Sequence, residues 1–403
     1  MASTALDRLI SVANLRDVWK EYKPRAKGSA PGVDGITPKQ FDDNLTQRIA
    51  LIRAKVVDGY TFSALRGVSV PKKDPTKFRM ICVPTIQDRV VQRALLRVIE
   101  GKATRLRIAN DVSFGFVKDT PDTKRGTTAA RAAAIRHRQA KPWVFKADIA
   151  AFFDRIDRQD LIASFRKSFQ LRSLTPLVEA AIACEVDDND PRIRRVLSDN
   201  GIKRGKGLRQ GMPLSPILSN FLLREFDQAF TAARYDLVRY ADDLIILAST
   251  REECAAAEAL TRAELSKLGL ALSEQKTETR APDEPVEFLG MELGLKPGTS
   301  ICCLTISNQQ LAKIREQFTK FHDVDLAVKE GLDLPKLLRR LENMKSGYRT
   351  AYRVADNFEA LDRQLDQWTG NCITKVYTSM FDAKAIAKLT ATQRRFLLLP
   401  QQV

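Results

Sequence analysis

Three aspartates lie within or beside apolar runs that are expected to be buried, where a carboxylate needs a positive partner. Asp148 lies near the end of a short run, residues 144–149, whose apolar side chains alternate as in a strand. Asp242 and Asp243 are adjacent between two apolar runs, a pattern that predicts a tight hairpin with the acids at its tip. Neighbouring carboxylates repel each other and oppose burial unless a cation neutralises them. Mg²⁺ prefers carboxylate and phosphate oxygens. These residues therefore predict a site for phosphoryl transfer, in which two ions about 4 Å apart clamp the attacking and leaving oxygens.

The elements expected around these acids mix strands and helices. Two short apolar runs, 68–70 and 80–83, flank a basic turn and predict a hairpin, and residues 286–294 predict another hairpin-like piece. Apolar residues at helical spacing, or a composition rich in helix formers, predict helices over three longer segments: 88–105, 251–270 and 334–354. The pattern indicates an α+β fold, with a mixed catalytic core followed by a helical C-terminal region.

The charge of the chain favours a polyanionic partner. The formal net charge is +17 and the sequence pI is about 9.7, a balance that attracts nucleic acid and weakens as salt rises. Seven Lys or Arg residues and one Asp fall within residues 192–209. A second basic run, between Lys102 and Lys141, is accompanied by Phe114, Phe116 and Trp143. Basic residues mixed with aromatic ones are typical of channels that follow phosphates and stack bases.

Cysteine and histidine usage narrows the chemistry. The six cysteines form no C-x-x-C pair and have no spacing typical of zinc, so buried reduced thiols are expected. Only two histidines are present, which argues against a His-rich nuclease site or a Ser-His-Asp triad. No apolar stretch approaches the ~18 residues of a membrane helix, and the N-terminus does not resemble a secretory signal. A cytoplasmic protein without a membrane partner is expected.

Seven ordered segments resemble the motifs of reverse transcriptases of the bacterial group II intron-like lineage. They are GSAPGVDGIT (28–37), FRMICVPTIQDRVVQRAL (78–95), SFGFVKDT (113–120), KADIAAFFDRID (146–157), GLRQGMPLSPILSNFLL (207–223), YADD (240–243) and LGLALSEQKT followed by EFLG (268–290). One departure is that Val117-Lys118 replaces the usual Arg-Pro of the S-x-G-F segment. The resemblance implies an RNA-directed DNA polymerase with the right-hand fold. We expect fingers at 1–143, a palm with an antiparallel sheet at 144–300, and a helical thumb at 301–403.

The resemblance also implies roles for particular residues. The catalytic positions are Asp148, Asp242, Asp243 and Lys276, with Lys276 able to protonate the leaving pyrophosphate. The metal positions are the three aspartates and Ile149, for two Mg²⁺ ions that Mn²⁺ can replace. The nucleotide-binding positions are Lys77, Arg79, Phe153, Gln210 and Gly211. Phe153 occupies the family's place for a ring that rejects a 2′-hydroxyl. The primer-grip positions are Phe288, Leu289 and Gly290.

The partners implied are deoxynucleotides, an RNA template and a DNA primer or product, and the oligomeric state is left open. A stand-alone enzyme that copies a dedicated non-coding RNA in anti-phage defence is one hypothesis. An RNA-binding maturase or splicing factor with a vestigial site is an alternative, although the intact aspartates argue against it. Template-independent or protein-primed synthesis also remains open. An RNA-dependent RNA polymerase is disfavoured by Phe153 and by the Gln210-Gly211 motif.

Overall fold

The computed structural model describes residues 4–71, 78–120, 123–381 and 383–399. It divides into two compact units. The first unit contains residues 1–130 and 145–279, and the second contains residues 131–144 and 280–403. Each unit is described separately below.

The first unit contains most of the helices. In chain order they are α1 (Ala5–Leu9), α2 (Val12–Ala26), α3 (Pro38–Asp43), α4 (Leu45–Val57), α5 (Ile86–Glu100), α6 (Gly126–Ala140, which ends in the second unit), α7 (Phe152–Arg155), α8 (Arg158–Ser168), α9 (Thr175–Ile182), α10 (Pro191–Asp199), α11 (Ser215–Ala232) and α12 (Arg251–Lys267). Two of the predicted helices begin at a side-chain cap. Thr85 accepts the Asp88 N–H before α5, and Thr250 accepts the Glu253 N–H before α12. Both helices lie where the apolar spacing predicted them.

Two sheets lie in the first unit. Their strands are β1 (Leu65–Pro71), β2 (Phe78–Val83), β3 (Trp143–Asp148), β4 (Val186–Asp187), β5 (Asp236–Tyr240), β6 (Asp243–Ala248) and β7 (Glu278–Arg280). The smaller sheet has the order β2-β1-β4, with β1 antiparallel to β2 and parallel to β4. The larger sheet has the order β5-β6-β3-β7, and β5 pairs antiparallel with β6. The predicted hairpins at β1–β2 and β5–β6 are confirmed.

The core of the smaller sheet is sulfur-rich. Its buried side chains are Leu65, Met80, Cys82, Cys184, Val186 and Met212. Apolar residues of α10, among them Ile193 and Val196, cover this cluster. All six cysteines of the chain are free, and all except the half-buried Cys302 are buried, as expected from the sequence.

The second unit combines a three-stranded sheet with helices. Its strands β8 (Val286–Phe288), β9 (Met291–Leu295) and β10 (Cys302–Thr305) are antiparallel in the order β10-β9-β8, which confirms the predicted hairpin. Its helices are α13 (Asn308–Thr319), α14 (Val324–Lys329), α15 (Leu334–Tyr352), α16 (Phe358–Met380), α17 (Ala383–Ala387) and α18 (Ala391–Phe396). In the part of the chain that is described, no helix is both long and apolar enough to cross a membrane.

Candidate active site

The turn between β5 and β6 brings two aspartates to the end of the larger sheet. Tyr240 pairs with Asp243, so only Ala241 and Asp242 lie between the strands. Ala241 has a φ of 58°, in the left-handed region that a tight turn of this kind requires. The carbonyl of Asp242 accepts the N–H of Ile149 at 3.1 Å. This bond places the end of β3, and therefore Asp148, beside the turn.

The electrostatics of the turn show that its acids are close to Asp148. Burial raises the pKa of Asp243 to about 7, and the charges of Asp148 and Asp242 add to this rise, although Lys146 opposes it. Burial also raises the pKa of Asp242, with the charge of Asp148 as the next cause. The Oδ1 atom of Asp243 is buried without a hydrogen-bond partner. A lone buried carboxylate oxygen is costly unless a cation or a donor reaches it.

Lys276 is the positive group that contacts this cluster. Its Nζ lies 2.8 Å from Oδ2 of Asp148, and its side chain is largely exposed. The neighbouring Ser273 N–H donates to the Asp148 carbonyl at 2.8 Å, which ties the lysine segment to β3. Within the described residues, no group of three or more His, Cys, Asp or Glu side chains is close enough to hold a metal ion as a complete ligand set. The fit to a cation therefore depends on the unpaired oxygen of Asp243 and on the mutual repulsion of the acids.

The described candidate nucleotide-binding residues lie on helix α7, on strand β2 and on the loop before α11, and backbone hydrogen bonds join this loop to the other two elements. The Phe153 carbonyl accepts the Leu208 N–H at 2.7 Å, and the Gln210 carbonyl accepts the Cys82 N–H at 2.7 Å. A Cβ at Gly211 would lie 2.4 Å from the Cys82 carbonyl oxygen, so this close approach to β2 requires glycine. Phe153 itself is half-buried. The structure thus brings Phe153, Gln210 and Gly211 into one connected region.

The candidate phosphate-binding residues are only partly described. Arg79, in β2, is exposed. Burial is the largest effect on the pKa of Asp242 and raises it, and the charge of Arg79 is one of the smaller effects that lower it. Arg79 is therefore near enough to the acids to influence them. Lys77 lies outside the described residues.

A buried arginine that the sequence analysis missed supports the acidic turn. Arg239 in β5 has no exposed surface, and both of its terminal nitrogens and Nε are bonded. Nε and Nη2 bind the two carboxylate oxygens of Asp227 at 2.6 and 2.5 Å. Nη1 donates to Asn220 Oδ1 at 2.9 Å and to the Ala241 carbonyl at 3.1 Å, and Nη2 donates to Ser113 Oγ at 2.9 Å. The available signal was a charged residue inside an apolar strand, but its partners could not be deduced from it.

A second buried network includes one arginine of the basic run at residues 192–209. Arg209 is 3% exposed, and its Nη2 binds Glu185 at 2.5 Å. Glu185 also accepts from Arg158 Nη1 and from the Gly205 N–H, both at 2.7 Å. Arg209 is therefore a structural residue, because its buried guanidinium is paired with an acid of the same chain. The exposed arginines of this run lie mainly on α10, which has no buried residue.

The candidate primer-grip residues lie in the second unit, at the β8–β9 turn. Phe288 is buried, and Leu289 and Gly290 both have positive φ, at 51° and 79°. Arg131 of α6 donates to the Leu289 carbonyl and, at 2.9 Å, to the Ala351 carbonyl of α15. The tip of this hairpin is therefore held by a buried guanidinium.

Comparison with known proteins gives three further findings. Residues 70–293 match the family model described as reverse transcriptase (RNA-dependent DNA polymerase). The chain is 28% identical over 206 residues to Protein YkfC of Escherichia coli (strain K12), covering 50% of this chain and 51% of that protein. It is 24% identical over 208 residues to the group II intron-encoded protein LtrA of Lactococcus lactis subsp. cremoris, covering 51% of this chain and 32% of that protein.

Among solved structures, the chain is similar to telomerase from Candida albicans in complex with a fragment of telomeric RNA. The TM-score is 0.46 at 11% identity, and the match covers 88% of this chain and 69% of that one. The chain spans about half the length of the Escherichia coli relative and about a third of the Lactococcus lactis one. Because the family model covers more than half of its residues, the chain belongs to the reverse transcriptase (RNA-dependent DNA polymerase) family.

Proposed function

We propose that this protein is an RNA-directed DNA polymerase that adds deoxynucleotides to the 3′-hydroxyl of a primer. The observation that carries the proposal is the meeting of Asp148 with the Asp242–Asp243 turn. Acids far apart in the chain lie together, the charge of Asp148 adds to the raised pKa values of Asp242 and Asp243, and one oxygen of Asp243 has no partner. Close acids with an unpaired oxygen are costly to a fold, and they are typical of sites where divalent ions catalyse phosphoryl transfer.

The proposed metal ligands are the carboxylates of Asp148, Asp242 and Asp243, together with the main chain of Ile149. Two bound Mg²⁺ ions, or Mn²⁺ in their place, would supply the positive charge that activates the 3′-hydroxyl and stabilises the pyrophosphate. The unpaired Oδ1 of Asp243 supports this assignment, because a buried carboxylate oxygen binds a hard cation in preference to remaining unsatisfied.

Other residues would bind the substrate and move a proton. Lys276 is proposed to donate a proton to the leaving pyrophosphate, and its bond to Asp148 supports this role. Arg79 presents the guanidinium fork that matches triphosphate oxygens, and Lys77 is proposed as a second contact. Gln210 and Gly211 would face the templating base pair, and Phe153 would exclude a 2′-hydroxyl. Phe288, Leu289 and Gly290 are proposed to position the primer within a palm at 144–300, between fingers at 1–143 and a thumb at 301–403.

The decisive experiment is primer extension on an RNA template with labelled deoxynucleotides and Mg²⁺. The Asp242→Asn, Asp243→Asn double variant should bind the primer–template but fail to extend it. Extension by the double variant at the wild-type rate would reject the assignment of these acids. Extension without a template, or from a protein hydroxyl, would favour template-independent or protein-primed synthesis. Template binding without extension by the wild type would favour the maturase alternative.

The role proposed for Phe153 is tested by sugar discrimination. Phe153→Val should admit ribonucleotides, because a smaller side chain leaves room for the 2′-hydroxyl. The matched control is Phe152→Leu, since Phe152 is the adjacent, fully buried aromatic residue. Both variants are compared by the ratio of kcat/KM for dNTP and rNTP. An unchanged ratio for Phe153→Val would remove its role as a gate.

The template identity and the anti-phage role inferred from the sequence stay predictions. Sequencing of RNA crosslinked to the purified protein tests them. Recovery of one discrete small RNA would support a dedicated template, and recovery of bulk cellular RNA would count against it.

A further inference from the structure

Phe116 is an aromatic residue that combines two unfavourable features beside the acidic turn. Its φ is 60°, in the left-handed region that a residue with a Cβ adopts only at a cost. Its side chain is 43% exposed, so burial of the ring does not offset that cost. Residues kept in this region of backbone space concentrate at functional sites, where surrounding contacts enforce them.

The contacts that enforce this conformation come from the catalytic hairpin. A Cβ at Gly115 would lie 2.8 Å from the Ala241 nitrogen, so the loop and the turn touch through their main chains. Asn220 Nδ2 donates to the Gly115 carbonyl at 2.7 Å, and the Phe114 N–H donates to the Arg239 carbonyl at 2.8 Å. The loop that carries Phe116 is therefore clamped onto the strand that ends in the acidic turn.

One buried network holds both the loop and the turn. Asn220, which is 1% exposed, accepts from Arg239 Nη1 through Oδ1 and donates to Gly115 through Nδ2. The same Arg239 nitrogen donates to the Ala241 carbonyl at 3.1 Å. Because one side chain bridges the two segments, the position of Phe116 relative to the acids is determined by buried hydrogen bonds.

The strand order indicates which side of the acids the ring occupies. The centroid of the Phe116 ring lies 6.0 Å from that of Tyr240, at the end of β5. Asp148 ends β3 and Phe153 follows it, and β3 lies across β6 from β5 in the order β5-β6-β3-β7. The candidate nucleotide site is thus on the β3 side of the acidic turn, and the aromatic pair is on the β5 side.

We propose that Phe116, together with Tyr240, forms a contact for the terminal nucleotide of the primer strand. The inference rests on the proposed function, because the incoming nucleotide and the primer end must approach the acids from different sides. An exposed ring held at this point can pack against a base or sugar of any sequence. A sequence-tolerant contact of this kind suits a polymerase, whose primer terminus changes at every addition.

The test uses the full chain and three variants of one residue. Phe116→Ala removes the ring but keeps the backbone cost, Phe116→Gly removes both, and Phe116→Trp keeps an aromatic face. Binding is measured by fluorescence anisotropy with a labelled DNA primer annealed to RNA, in the absence of nucleotides. Phe116→Ala and Phe116→Gly should weaken binding about 5- to 100-fold, the range for loss of one base–aromatic stack, and Phe116→Trp should bind like the wild type.

Stability and kinetics separate a binding role from a packing role. Phe116→Gly should unfold at a higher temperature than Phe116→Ala, while both lose primer affinity equally. In extension assays the KM for primer–template should rise and the KM for dNTP should not change. The matched control is Phe381→Ala, which removes an aromatic side chain that is 56% exposed in the second unit and should leave primer affinity unaltered.

Several outcomes would overturn the proposal. The first is that Phe116→Ala binds the primer–template with an affinity within twofold of the wild type. The second is that only the KM for dNTP increases. The third is that primer affinity falls in proportion to the loss of stability across the variants. Any of them, with normal extension by the wild type, rejects the aromatic contact and leaves the proposed polymerase intact. A wild-type protein that never extends a primer would reject the polymerase and, with it, a contact made at the primer terminus.

Discussion

Two kinds of buried or half-buried carboxylate lie in the first unit, and they differ in whether all of their oxygens have partners within the chain. Asp227 is bound by Nε and Nη2 along one edge of the Arg239 guanidinium, and Glu185 is bound by two arginines and a main-chain N–H. At the β5–β6 turn, Asp243 keeps an oxygen with no partner. Asp227 and Glu185 are neutralised from within the chain, whereas one oxygen of Asp243 has no partner there.

The pKa values of Glu185 and Asp243 differ in the same way as their partners do. Burial alone would raise the pKa of Glu185, but the Gly205 N–H and the Arg209 and Arg158 charges outweigh it and hold the pKa below its usual value. At Asp243 burial dominates and neighbouring acids add to it, so the pKa rises to about 7. The lowered pKa of Glu185 means that its ionised form stabilises the fold, whereas the raised pKa of Asp243 means that its ionisation costs stability.

The largest change in the free energy of unfolding is expected for Arg239→Met. The substitution leaves Asp227 buried without its partner, which typically costs about 3–5 kcal/mol. Urea denaturation measures the loss. The matched control is Arg262→Met, whose partners Glu258 and Glu274 lie in partly exposed surface pairs, for which about 0–1 kcal/mol is expected. Equal losses of stability in the two variants would contradict the expected difference between the buried pair and the exposed pairs.

The next largest change, in the opposite direction, is expected for Asp243→Asn in metal-free buffer. Folding raises this pKa from 3.8 to about 7, so ionisation costs stability progressively as the pH rises through that interval. Removal of the charge should stabilise the protein by up to about 4 kcal/mol above pH 7. The gain should fade towards pH 4, and extension activity should be lost at every pH. Destabilisation at pH 8 would show that the fold uses this carboxylate.

A smaller loss is expected for Glu185→Gln. The amide keeps the shape of the side chain but loses the charge that binds Arg158 and Arg209, and a hydrogen bond to a charged group is worth about 1.5–3 kcal/mol. Thermal and urea denaturation measure this loss near neutral pH. A gain in stability, as expected for Asp243→Asn, would remove the distinction between the two kinds of site.

The smallest change in stability is expected for Lys276→Met. Its pair with Asp148 is largely exposed on the lysine side, so the free energy of unfolding should fall by no more than about 1 kcal/mol. Extension should nevertheless slow by about 10²–10⁴-fold, the usual contribution of a general acid. Lys267→Met, which breaks the surface pair with Glu264, is the control and should extend normally. Similar activities in the two variants would exclude a catalytic role for Lys276.

Much of the fold was predictable because its elements carry strong local patterns. The β1–β2, β5–β6 and β8–β9 hairpins and helices α5, α12 and α15 lie where apolar periodicity placed them, and the α+β polymerase fold is confirmed through the family match. The residue types of the site also identified Asp148 and the turn acids, whose proximity the structure then displayed.

The rest depended on contacts between distant residues. β4 is two residues long, too short for any pattern, and it exists because β1 pairs with it. The partners of Arg239 include Ser113, which is 126 positions away, and no local signal connects them. Arg209 was read with the exposed arginines around it, because a sequence does not show which guanidinium meets a buried acid.

The burial of Cys82 has a practical consequence. Burial raises the pKa of its thiol to about 12, and its N–H is bonded to the Gln210 carbonyl beneath Gly211. An alkylating reagent can modify this sulfur only while the buried cluster around Cys82 opens. The rate of modification of Cys82, measured by mass spectrometry, therefore reports how often the structure opens next to the candidate nucleotide-binding residues Gln210 and Gly211. A substrate that binds there and stabilises the closed structure should lower the rate of Cys82 modification.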